Sequence, residues 1–103
     1  MDEKNVFRVV RRRAKPGCSE AYEALVRAMF EDARRFPGFL AAELTPPEAP
    51  GGEYQILQRF ATEADLARWN DSQERAAWHE RLSHVADGPP EYVLLHGLDA
   101  WFP

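Results

Sequence analysis

Phe36-Pro37-Gly38-Phe39-Leu40-Ala41-Ala42-Glu43-Leu44 (FPGFLAAEL) is the place where a helix must stop and a strand must begin. Proline disfavours helical backbone in the residue before it, and glycine accepts the reversed backbone that closes a helix. The residues that follow set Leu40, Ala42 and Leu44 on one face of an extended chain. Upstream, Tyr22, Leu25, Met29 and Ala33 recur at steps of three and four, with Ala21, Ala24 and Ala28 beside them. That spacing predicts an amphipathic helix, capped by Ser19, carrying Glu20 and Glu23 near its start and Arg34 and Arg35 in its last turn. Further upstream, residues 6–13 are apolar on both parities at first, Val6 and Val10 against Phe7 and Val9, and then basic. This is a strand covered on both sides where it begins, followed by the Pro16-Gly17 turn.

Downstream, residues 46–52 are a proline- and glycine-rich loop, and residues 53–60 are a strand. Tyr54, Ile56 and Phe60 share one face of it, while Leu57 lies between Gln55 and Arg59 on the other. Thr62-Glu63-Ala64-Asp65 has the capping-box pattern and opens a short helix through Trp69. Residues 71–74 offer a second start, so the helix breaks at Asn70-Asp71. Its longer half carries Trp78, Leu82 and Val85, and Asp87-Gly88-Pro89-Pro90 stops it. Residues 92–98 form the last strand, with the apolar tail Ala100-Trp101-Phe102-Pro103 after it.

The order strand, helix, strand, strand, helix, strand predicts an α+β, ferredoxin-like domain over residues 1–103, with one antiparallel sheet and helices on a single face. The other face is left bare although both parities of the first and last strands are apolar. A second copy packed sheet against sheet is the expected cover, and it relieves a chain too short to enclose a large cavity alone. The net charge of −4 argues against nucleic acid as a partner, and Arg11, Arg12, Arg13 and Lys15 read as a solvated strand end. Cys18 is the single cysteine, which fits a reducing compartment. Residues 1–5 lead into a strand pattern and not a signal segment, and no apolar run is long enough to cross a bilayer; the expectation is a cytoplasmic protein with no membrane segment in this sequence as given.

The turn Lys15-Pro16-Gly17, the FPGFLAAEL phrase, Tyr54-Gln55-Ile56-Leu57-Gln58-Arg59-Phe60 and Trp69-Asn70-Asp71-Ser72 together resemble the antibiotic biosynthesis monooxygenase family over nearly the whole chain. The resemblance implies a dimeric alpha-beta barrel. It does not imply one reaction, because members include cofactor-free monooxygenases and haem-degrading enzymes. Residues 97–102 also resemble a subgroup in which membrane helices follow.

Triplet dioxygen reacts slowly with closed-shell molecules, so oxidation without a cofactor needs a substrate anion that itself gives up an electron. The protein must hold an aromatic ring, help remove a proton and stabilise the anion. Trp69, Trp78 and Tyr54 are candidates to line the slot, His79 or His96 to take the proton, and Arg59 or Asn70 to face the charge. Each has a structural counterpart. Trp78 has core spacing, Trp69 stands at a helix break where it either seals the core or flanks a cleft, and Tyr54 is a strand residue able to bury its ring. His79 lies about 100° around the helix from Trp78. His84 suits the helix C-terminus, His96 alternates with Leu95 in a strand, and Ser72 reads as a cap.

In haem-degrading relatives a tryptophan precedes the iron-binding histidine by the interval that separates Trp69 from His79, which makes haem the alternative cofactor. Those relatives carry an asparagine on the first strand where this sequence has Val10. The histidines and Cys18 show no compact metal-ligand spacing. A non-catalytic dimer that binds a small apolar ligand, or serves as an accessory domain of a membrane partner, is the third reading.

Overall fold

The computed structural model describes residues 5–96. Seven elements follow in order: β1 (Val6–Ala14), α1 (Ser19–Ala33), β2 (Phe39–Thr45), β3 (Glu53–Phe60), α2 (Glu63–Asn70), α3 (Gln73–Ser83) and β4 (Ala86–His96). All the strand pairings are antiparallel and the order across the sheet is β2-β3-β1-β4, the ferredoxin-like arrangement. The helices pack on one face. There Val6 and Val10 of β1 and Ile56 and Phe60 of β3 meet Tyr22, Val26, Met29 and Phe30 of α1, Leu66 and Trp69 of α2, and Leu82 of α3. Each large apolar side chain buried in this layer contributes about 1.5–3 kcal/mol.

The buried stripe of α1 is Tyr22, Val26, Met29, Phe30 and Ala33. It is rotated from the expected one: Leu25 is only half-buried, and Ala21 and Ala24 face water. Alanine is short enough to sit on either flank, so Val26 and Phe30 decide the orientation. Cys18 and not Ser19 occupies the N-cap, without a side-chain cap bond, and the helix ends at Ala33, before Arg34 and Arg35.

Thr62 and Ser72 both act as N-caps, accepting from the Asp65 and Arg75 amides at 3.1 Å. A bulge in β2 between Phe39 and Ala41 leaves Leu40 out of the pairing and 47% exposed. Phe39, Ala42 and Leu44 pack on the core in its place.

The last strand starts earlier than the sequence suggests. Asp87-Gly88-Pro89-Pro90 does not separate helix from strand; it lies within β4, where the register jumps from Arg13↔Asp87 to Arg11↔Glu91. Proline lacks the ladder donor, but β4 is an edge and the irregularity sits opposite Arg12, whose Nε donates to the Gly88 carbonyl at 2.9 Å. The expected end of this strand at Leu98, and the apolar tail, lie outside the described residues. No helix among the described residues is long and apolar enough to cross a membrane.

On the far side of the sheet Phe7, Val9, Leu57 and Val93 alternate with the buried residues, with Arg59 and Glu43 among them. No described element covers this face.

Candidate active site

Arg8 stands between Val6 and Val10 on the helix-covered parity of a central strand and is only 9% exposed. A buried guanidinium needs acceptors for its five N–H donors. Gln58, directly opposite on β3 and more deeply buried, supplies Oε1, which accepts from Arg8 Nε at 3.1 Å and from a terminal nitrogen at 2.9 Å. The Asn70 side-chain oxygen accepts from the other terminal nitrogen. Both partners are neutral, and no carboxylate pairs with Arg8 among the described residues. Burial first, and Arg75 second, lower the Arg8 pKa to about 10, so the group stays cationic at neutral pH.

Tyr92, on the same face of β4, is shared by two cations. The Arg8 guanidinium carbon lies 5.1 Å from its ring centroid and that of Arg75 lies 6.0 Å away. Arg75 also donates to the Tyr92 hydroxyl at 2.8 Å. Steps of four and three along α3 turn Arg75, His79 and Leu82 toward the sheet together.

Between α3 and the sheet these residues leave an inner cell of about 20 Å³, close to the room one water needs. Its polar walls are Arg8, Arg12, Gln58, Trp69, Arg75 and His79. The Trp69 ring is fully buried, edge-on to Phe36 at 5.0 Å, yet among the described residues its Nε1–H has no acceptor, and neither has the buried Arg75 Nε–H. Burial, followed by the fields of Arg75, Arg12 and Arg8, pushes the His79 pKa down to about 4. Its imidazole is therefore neutral at pH 7.

A second space, an outer groove of about 290 Å³, runs between α2 and β4. Leu66, Ala67 and Leu94 give it apolar walls, and Glu63 and Asn70 polar ones. Arg8 and Tyr92 border both spaces.

The structure thus brings Trp69, Asn70 and His79 to one site. Trp78 borders neither space: the Arg81 guanidinium of the same helix lies 4.7 Å over its ring, and its Nε1–H donates to Asp32 at 2.5 Å, a bond that fastens α3 to α1. Tyr54 is likewise elsewhere, donating to Glu23 at 2.6 Å with its ring 4.8 Å from that of Tyr22. Arg59 is on the opposite face of the sheet, over the Phe7 ring at 5.3 Å and bonded to Asn5 at 2.8 Å. The alternation of β3 dictates this, since Gln58 and Phe60 on either side of Arg59 are buried. His96 pairs with Val6, four residues along β4 from Tyr92; its side chain is outside the described part.

Arg8, Gln58, Arg75 and Tyr92 were not among the sequence candidates. The available signal was polar residues at buried parity in two adjacent strands, Arg8 between Val6 and Val10 and Gln58 between Ile56 and Phe60.

Haem does not fit these residues. Ligand pockets of that class occupy roughly 300–1,000 Å³, whereas His79 faces the cell of about 20 Å³ and does not border the larger groove. Val10 lines the cell from β1. No group of three or more His, Cys, Asp or Glu among the described residues is placed to hold a metal ion.

Residues 5–81 match the family described as antibiotic biosynthesis monooxygenase. An uncharacterised protein of Synechococcus elongatus is 30% identical over 88 residues, 84% of this chain, and the match spans 42% of that protein's length. Among solved structures, a protein from Nitrosomonas europaea superposes with a TM-score of 0.84 at 17% identity, over 95% of this chain and 94% of that one. SnoaB, a cofactor-independent oxygenase from Streptomyces nogalater, gives 0.81 at 16% identity, over 89% and 91%. At these identities the structural likeness establishes the fold.

Proposed function

This chain belongs to the antibiotic biosynthesis monooxygenase family, and on that premise we propose that it oxidises a small phenol or quinol with dioxygen, without a metal or organic cofactor. The observation that carries this reading is Arg8, a buried cation that among the described residues is hydrogen-bonded by neutral oxygens, at the boundary between a ring-sized groove and a small cell. A guanidinium so placed stabilises an anionic oxygen that comes to it, because its own burial leaves the charge poorly screened and its hydrogen bonds go to neutral amides. The ring of the substrate lies in the outer groove against Leu66, Leu94 and Tyr92, and Asn70 and Gln58 orient Arg8.

The roles differ from the simplest acid–base scheme. A phenol of pKa near 10 and an imidazole near 4 are mismatched by about six pKa units, on the order of 8 kcal/mol. His79 is therefore a poor base for an unassisted phenol. Ionisation is instead favoured by the Arg8 charge, which lowers the pKa of the bound phenol, with Trp69 closing the site from behind. The description of SnoaB as a cofactor-independent oxygenase supports the same chemistry on this fold.

The test is oxygen consumption with a panel of hydroquinones and acidic phenols, for the wild type and Arg8→Gln. We expect kcat/KM to fall about 100-fold or more in the variant, with an unchanged circular dichroism spectrum and with activity moved to higher pH, where the phenol ionises unaided. Equal activity of a folded Arg8→Gln protein would overturn the assignment.

The open sheet face supports a homodimer. Phe7, Val9, Leu57 and Val93 form an apolar surface on the side that the helices do not cover, and a second copy brings a matching one.

A further inference from the structure

We infer that Glu43 and Arg59 select the partner of the open sheet face: that partner is a second copy of this chain, placed so that Arg59 of each copy reaches Glu43 of the other. This rests on the homodimer proposed above and names the residues that fix its register. Across the sheet Leu57 pairs with Val9 on one side and with Glu43 on the other, and Arg59 pairs with Phe7 and with Ala41. Partners in a ladder project to the same face, as do residues two apart in a strand. Glu43 and Arg59 are therefore diagonal neighbours on the open face, at the β2 side of the apolar surface. Diagonal neighbours of opposite charge can reach one another, yet no ion pair joins these two. Among the described residues Arg59 donates to the neutral Asn5 side chain and lies over the Phe7 ring, and Glu43 is in no ion pair.

A plain apolar cover would strip water from both charges without offering a counter-charge, which is costly. The cover must bring a cation to Glu43 and an anion to Arg59, and the same face turned over does both. Two copies packed face to face are exchanged by a two-fold axis lying in the interface. On the grid set by the pairings of β1, β2 and β3, the line that separates Glu43 from Arg59 passes beside Leu57 and Val9. An axis along that line sets these apolar residues near their own counterparts and interchanges the two charges. Sliding it until Arg59 meets Arg59, or Glu43 meets Glu43, opposes like charges, and that penalty fixes the register. The surface has room for the exchange. Glu43, Arg59, Ala41 and Leu57 border one hollow of about 240 Å³, and the small Ala41 side chain leaves space in which the guanidinium of the second copy is received.

The test is sedimentation equilibrium combined with native mass spectrometry. The wild type should be a dimer. Glu43→Arg alone and Arg59→Glu alone oppose like charges twice in each interface, and each should weaken self-association about 100-fold or more. The double variant, Glu43→Arg with Arg59→Glu, restores the exchange and should dimerise like the wild type. An equal mixture of the two single variants should form a heterodimer, because one chain then carries two cations and the other two anions at the facing positions. Both residues are exposed, so every variant should keep a native circular dichroism spectrum. Single variants that dimerise like the wild type, or a double variant or mixture that stays monomeric, overturn the pair and leave the homodimer. A wild type that is monomeric at every concentration refutes the homodimer and the pair with it.

Discussion

The two sides of β1 treat positive charge in opposite ways. On the open side Arg11 reaches Glu91 at 3.8 Å, with both side chains largely in water. On the helix side Arg8 is buried, and among the described residues its hydrogen bonds go to the amide oxygens of Gln58 and Asn70. The first arrangement is an ordinary surface pair, weak and screened by salt. The second is an unfavourable place for a charge by itself, because desolvation is not offset by a counter-charge among the described residues. A charge kept under such conditions is available to something that arrives, and this difference separates the site from the rest of the molecule.

The strongest attempt to break the contrast replaces the Arg8–Gln58 pair with two leucines. If the pair serves chemistry and not folding, stability in urea should stay within about 2 kcal/mol of the wild type or rise, while kcat/KM falls by about 100-fold or more. Arg11→Leu should leave activity unaltered and change stability by less than about 1 kcal/mol. Collapse of the double variant together with tolerance of its activity in any folded remnant would reverse the two roles.

A smaller effect is expected from the apolar part of the open face. Val9→Asp sets a carboxylate in the middle of the surface assigned to the second copy, and sedimentation should shift from dimer to monomer. A wild type that sediments as a monomer at all concentrations would show that this face is not an interface between copies.

The smallest effect is electrostatic. The pKa of His79 in the folded chain, about 4, lies below the value of about 6.5 for an exposed imidazole. Between these values the unfolded chain binds the proton and the folded one does not, so stability is full above about pH 6.5 and declines as the pH falls toward 4. Thermal melts at pH 7 and pH 5 should therefore differ less for His79→Gln than for the wild type. An identical pH response in the two proteins would mean that neither burial, the larger cause, nor the three arginines beside it shift this imidazole.

The topology was legible because its punctuation is local. Pro37-Gly38, Thr62 and Ser72 each end or start an element by their own chemistry, and the ferredoxin-like order follows from them. The start of β4 was not, because prolines normally interrupt a strand and only the bulge opposite Arg12 accommodates them. At the site, Trp69, Asn70 and His79 stood out as residue types, and the fold gathers them. Arg59 stood out in the same way, yet strand alternation alone puts it on the side away from Phe60. Arg8 and Gln58 show the converse. Each is unremarkable as a residue type, and only parity against Val6, Val10, Ile56 and Phe60 reveals that a charge and an amide have been placed in the core. Arg75 and Tyr92 depend on a contact between α3 and β4 that no local pattern encodes.

Gly38 has a positive φ, and a Cβ there would collide with the carboxylate of Asp65 in the first turn of α2. That helix carries Leu66, Ala67, Trp69 and Asn70 to the site. The turn after α1 is thus a mechanical stop against which the wall of the groove is aligned. Side chains introduced at position 38 would displace that wall and reshape the groove, through a residue that itself borders neither space.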